Sequence, residues 1–220
     1  MMNKGKIIVL EGLDGCGKST QLELLYNALS ERNSVRMISF PNYESSTGRV
    51  VSDYLSGKIL CEGGSGAYAA SSFYACDRYA SFVTDWRSDY CAGKTILSGR
   101  YATSNAIYQM TKLPESEWDE FLRWLWDFEY SRLGLPKPDR VIFLDMSVSV
   151  SQKLLSARYG GDESKKDIHE SNIRFLEACR KSALYTAERC GWRIVSCSKD
   201  GEPLSIEEIS LRITRETEGI

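Results

Sequence analysis

The stretch KIIVLEGLDGCGKSTQLELL, Lys6 to Leu25, decides the fold. Lys6 to Leu10 is a short apolar run of the kind that forms a buried strand, and Lys18 to Arg32 reads as a helix with Leu22, Leu25 and Leu29 on one face. Between them, GLDGCGKS (Gly12 to Ser19) fits G-x-x-x-x-G-K-[ST] at every required position. Strand, glycine loop and helix are the context that this motif needs. The glycines let backbone N–H groups converge on phosphate oxygens, and the N-terminus of the following helix adds a favourable dipole. Gly12, Asp14, Gly15, Cys16, Gly17, Lys18, Ser19 and Thr20 are therefore expected to hold a nucleoside triphosphate. Lys18 can reach the β- and γ-phosphates, and the Ser19 hydroxyl can ligate Mg²⁺. Cys16 is read as a small spacer, although a helix N-terminus can lower a thiol pKa.

Outward from this loop, apolar strand runs alternate with helical patterns. Val35–Phe40, Thr95–Leu97, Arg140–Met146 and Trp192–Cys197 read as further strands. Val50–Tyr54, Tyr68–Cys91, Glu115–Ser131, Ser149–Ala157, Ile168–Cys190 and Ser205–Thr217 read as helices. Such alternation predicts an α/β fold: a five-stranded parallel sheet with helices on both faces, joined by right-handed crossovers. No internal repeat or low-complexity linker divides the chain, so residues 1–220 read as one domain, with a charged lid segment at about 158–168.

Composition narrows the setting. A chain of 220 residues, 42% hydrophobic, can build one sizeable α/β core. The net charge of −2 argues against coating nucleic acid or an acidic membrane. Seven scattered cysteines without a C-x-x-C pair, and His169 as the single histidine, fit a reducing compartment better than a disulfide framework or a zinc site. No apolar run approaches a membrane span, and Met1 to Gly5 lacks the apolar core of a signal peptide, so a cytoplasmic location is expected.

The loop alone leaves GTPase, motor, small-molecule kinase and nucleotide kinase open. A guanine-reading N-K-x-D is absent, and a small single domain favours a kinase of a small acceptor. Tyr74 and Arg78 lie four apart in FYACDRYAS, where a ring beside a guanidinium can stack on a base and bond its edge. On spacing alone the same pair reads as an aromatic core stripe beside a solvated arginine. After the third strand, Arg100 offers a fork to a phosphate, and Asn105 offers a donor and an acceptor to a base edge. Ser104 and Tyr108 complete this acceptor set.

With these segments the chain resembles the thymidylate kinase family, within the P-loop nucleoside monophosphate kinases. The resemblance covers LEGLDGCGKSTQ, SFP, FYACDRYAS, GRYATSNAIYQ, LGLPKPDRVIFLDM and RYGGDESKKDIHE, and so nearly the whole chain. It implies transfer of the γ-phosphate of ATP to dTMP with Mg²⁺, in a homodimer. Carried over by position, it implies that Asp14 meets the sugar 3′-hydroxyl, and that Tyr74 stands where the family's phenylalanine stacks on thymine. Arg78 and Asn105 would then read the base, and Tyr108 would crowd the ribose 2′ position. Arg100 would hold the acceptor phosphate, beside a loop formed by Phe40 and Pro41.

Some members carry an arginine where Gly15 stands; in the other subtype, lid cations supply that charge, here Arg158, Lys165 or Lys166, with Arg158 the first choice. Lys18, Arg100 and Arg158 are thus the catalytic set. The family's aspartate is replaced by Gly99, with Glu11 and Asp145 the acids to take its place. Asn42 and Tyr43 stand where several members have an arginine, and the lid reads Asp167-Ile168-His169-Glu170. Two rival readings follow: a kinase of another pyrimidine nucleotide or nucleoside, and a nucleotide-binding homologue with weak or lost catalysis.

Overall fold

The computed structural model describes residues 4–61, 65–158 and 172–220. Strand β1 (Ile7–Gly12) is buried along its whole length, as its apolar run predicts. It lies at the centre of a sheet with β2 (Val35–Ile38), β3 (Thr95–Ser98), β4 (Arg140–Asp145) and β5 (Arg193–Ser196). The five strands run in the order β2-β3-β1-β4-β5, and every pairing is parallel. A two-stranded antiparallel hairpin, β6 (Ser198–Lys199) and β7 (Glu202–Pro203), follows.

The helices are α1 (Lys18–Ser30), α2 (Ser46–Leu55), α3 (Ser65–Ser81), α4 (Arg87–Cys91) and α5 (Thr103–Tyr108). After them come α6 (Trp118–Trp126), α7 (Val148–Arg158), α8 (Ile173–Cys190) and α9 (Ile206–Glu216). Side-chain alternation in the strands assigns them to two faces. Ile7, Val9, Ile96 and Phe143 pack against Tyr101, Ile107 and the Cys179–Ala187 face of α8. Ile8, Leu10, Leu97 and Leu144 pack against Leu25 of α1, Val150 of α7 and Ile209 and Ile213 of α9.

This division positions the site. Strands β1 and β3 are neighbours, yet α1 leaves β1 towards one face while the chain after β3 leaves towards the other. A crevice opens outside the carboxyl ends of two such strands, where open α/β sheets hold ligands.

Three elements differ from the sequence reading. Helix α5 was read only as a polar, small-residue stretch, because six residues are too few to show a period. Helix α2 starts earlier than Val50, since the Ser45 hydroxyl caps it by accepting from the Gly48 N–H at 2.8 Å. The two long helices are interrupted by π-helical turns, at Phe82–Trp86 after α3 and at Asp127–Arg132 after α6. These turns carry Trp86 and Glu129 fully into the interior.

Candidate active site

Between β1 and α1 the backbone of the loop is set by glycines. Gly15 (φ 78°) and Gly17 (φ 80°) both occupy the left-handed region. A Cβ at Gly15 would also lie 2.8 Å from the Ser151 carbonyl and from Leu155 Cγ, both on α7. No side chain fits there, which gives a physical reason why an arginine does not stand in this loop. Lys18 opens α1 and curls back, Nζ donating to the Gly12 carbonyl at 3.0 Å. Burial pushes the Lys18 ammonium below the usual lysine range, and the like charge of Arg100 pushes the same way. Burial pushes the Cys16 thiol up, so it stays protonated and acts as a spacer. Ser19 and Thr20 are exposed on the first turn of α1.

A cavity of about 490 Å³ opens beside this loop. Asp14, Phe40, Pro41, Tyr74, Arg78, Arg100, Ser104, Asn105 and Tyr108, which the sequence assigns to the acceptor, all line it. Arg100 Nη2 donates to Asp14 Oδ1 at 2.9 Å, and its guanidinium carbon sits 4.9 Å from the centre of the Tyr108 ring. Both partners of that ion pair are partly exposed, at 28%. Tyr74 meets Tyr54 edge-on, ring centres 6.2 Å apart. Arg78 is 2% exposed, which rules out the solvated arginine that spacing alone allowed. Ser104 faces the cavity but commits its hydroxyl to Glu11, at 2.8 and 3.0 Å from the two carboxylate oxygens.

Several contributors escaped the sequence reading. Glu129 is fully buried and pairs with Arg78. A signal existed: Trp118, Leu122, Leu125 and Glu129 follow one helical stripe, and an acid on an apolar stripe calls for a partner. Asp77, 1% exposed, accepts from the Asn42 N–H at 2.8 Å and from the Ser45 and Thr47 hydroxyls at 2.9 Å each, tying the loop after Pro41 to α3. Lys112 donates to the Tyr54 hydroxyl at 2.6 Å on the cavity wall.

At the end of β3, a Cβ on Gly99 would meet only Leu22 Cδ2, at 3.0 Å. Residue 99 thus faces α1, on the opposite side of the sheet from Glu11, which accepts from Thr103 at 2.6 Å and from Ser104. Asp145 is held bidentately by Arg180, at 2.6 and 2.8 Å. Both acids considered for the missing carboxylate are therefore engaged elsewhere. Arg158 ends α7, and its side chain, with Lys165, Lys166, His169 and the rest of the lid, lies outside the described residues.

A glycine loop built to surround phosphates, facing a cavity with arginines and an aromatic wall across a β1–β3 crevice, defines a nucleotide-binding phosphotransferase of the P-loop class. The comparisons with known proteins make this specific. The family model for thymidylate kinase matches residues 10–207. A thymidylate kinase of Mycobacterium tuberculosis is 30% identical, with 90% of this chain and 93% of the relative covered. One from Caenorhabditis elegans is 30% identical over 96% of this chain and 90% of its own length. One from Danio rerio is 24% identical over 99% and 92%. The chain belongs to the thymidylate kinase family.

Proposed function

We propose that the chain transfers the γ-phosphate of ATP to dTMP, giving dTDP, as a single kinase domain. The observation that carries this reading is the placement of Lys18 and Arg100 at one end of the sheet. One serves a glycine phosphate loop, and the other stands in a base-sized cavity beside it. Phosphoryl transfer is mostly positioning and charge stabilisation, so two cations aimed at donor and acceptor phosphates are the core requirement.

In this proposal Gly12 to Thr20 surround the ATP phosphates, and Lys18 leaves the Gly12 carbonyl to bridge them. The acceptor's phosphate takes Arg100 beside Asp14, Phe40 and Pro41, its base lies against Tyr74, Arg78 and Asn105, and its sugar meets Asp14 and Tyr108. Ser104 acts through Glu11, holding the start of α5. Arg158 supplies lid charge. Mg²⁺ fits this loop: Ser19 exposes one hydroxyl, and an ion already bound to phosphates needs only one or two protein ligands. Such an ion neutralises charge on the transferred group. Among the described residues no group of three or more His, Cys, Asp or Glu side chains is placed to hold a metal by itself.

No helix among the described residues is long and apolar enough to cross a membrane. A cytoplasmic homodimer completes the proposal, and sedimentation would measure the pairing. The reaction is tested by ADP release with ATP, Mg²⁺ and a panel of dTMP, dUMP, dCMP and thymidine. The expected result is turnover that is fastest with dTMP; preference for thymidine, or binding without turnover, would overturn it.

A further inference from the structure

Glu129 sits between α3 and α5, with no exposed surface. Its two oxygens clamp Arg78 through Nε, at 2.8 Å, and Nη2. Oε1 also accepts from Asn105 Nδ2 at 3.2 Å, and the same Nδ2 donates to the Ser71 carbonyl at 3.3 Å. Both neighbours of that amide nitrogen are pure acceptors, an ionised carboxylate and a backbone C=O. The Asn105 amide therefore has one allowed orientation, since turning it over would set Oδ1 against two acceptors. What is left for the cavity is fixed as well. Nη1 of Arg78, a donor, and Oδ1 of Asn105, an acceptor, have no hydrogen-bond partner among the described residues, and both side chains line the cavity.

We infer that Glu129 is the positioning residue that sets the cavity's base-reading pattern, a donor for a C4 oxygen next to an acceptor for a protonated N3. This deepens the dTMP reading and rests on it. Thymine and uracil offer C4=O and N3–H, which match both groups. Cytosine offers C4–NH₂ and a bare N3, so donor meets donor and acceptor meets acceptor. Rejection of the wrong base is then built in as unpaired buried polar groups. A carboxylate suits this position because it cannot donate. A glutamine could turn an NH₂ towards Asn105 and let that amide invert.

The test compares kcat/KM for dUMP and dCMP, which differ only at C4 and N3, in the wild type, Glu129→Gln and Glu129→Asp. Thermal melting and ATP binding report folding of each variant. The wild type is expected to favour dUMP by at least about 100-fold. Glu129→Gln should shrink that ratio by about tenfold, and Glu129→Asp, which keeps the carboxylate, should retain it. A folded Glu129→Gln with an unchanged ratio would overturn the inference. So would a wild type indifferent to the two bases, or a Glu129→Asp that loses discrimination. Should Glu129→Gln not fold, the wild-type ratio and Glu129→Asp decide. Failure of the dTMP reading is distinguishable, because it shows as no turnover with any monophosphate.

Discussion

The phosphate loop and the acceptor cavity face one another, yet they are built in opposite ways. The loop is one contiguous segment, and its geometry comes from backbone: two left-handed glycines, the end of β1 and the start of α1. The cavity is assembled from side chains on the β1–α1 loop, the Phe40–Pro41 turn, α2, α3, α5 and α8. It is held by buried acids that touch no solvent: Glu11 and Glu129 are 0% exposed, and Asp77 is 1% exposed. The loop is thus specified locally, and the cavity only when distant elements are packed. A single change in the loop should disable the protein outright, whereas a change in the cavity's supports should alter which acceptor it takes.

The largest effect expected from breaking the loop side is that of Lys18→Ala. It should lower kcat by about 10³-fold by removing the cation that bridges the phosphates, and leave dTMP binding nearly intact. Steady-state kinetics beside dTMP calorimetry would measure this. Equal loss of dTMP binding would show that the two regions are not separable.

Gly15→Ala comes next. Left-handed backbone and a Cβ 2.8 Å from the Ser151 carbonyl should together cost about 2 kcal/mol of stability, read from the urea midpoint, and weaken ATP binding. An unchanged midpoint would mean that the loop relaxes away from α7.

Gly99→Asp tests the boundary between the two regions. The added Cβ meets only the mobile end of Leu22, so a stability change of about 1 kcal/mol is expected, with turnover rising if a carboxylate there assists transfer. A well-folded variant with unchanged kcat would indicate that the cations suffice, since Glu11 and Asp145 are already engaged.

The smallest effect is one of pH. Because burial lowers the Lys18 pKa in the folded chain, the unfolded chain binds more protons between that lowered value and the ordinary lysine value of about 10.4. In that window the stability of the ligand-free protein should rise with pH, while ATP binding should weaken as the ammonium is lost. Melting curves and ATP titrations from neutral to pH 10 would show both slopes, and Lys18→Met should abolish both.

The same contrast explains what could be read in the sequence. Gly12 to Ser19 was legible because motif, strand and helix are adjacent in the chain, and the parallel sheet followed from the alternation around it. Arg100, Asn105 and Tyr74 were legible only as members of a resemblance. Arg78 illustrates why: its spacing suited a surface arginine equally well, and only the pairing with Glu129, 51 residues away, takes it inside. Glu129 itself went unread because a regular helix through Ser131 gives no reason to expect a π-helical turn. The departure from α geometry answers to packing against α3 and α5, which no local pattern encodes.

That π-helical turn has a consequence for insertions and deletions. Each residue advances an α-helix by about 100°, so removing one residue just ahead of Glu129 and restoring α geometry would swing the carboxylate a quarter-turn or more away from Arg78 and Asn105. Composition, charge and the apolar stripe would be almost unaltered. The spelling of the base would then be lost through the length of a helix rather than the identity of any residue that touches the nucleotide.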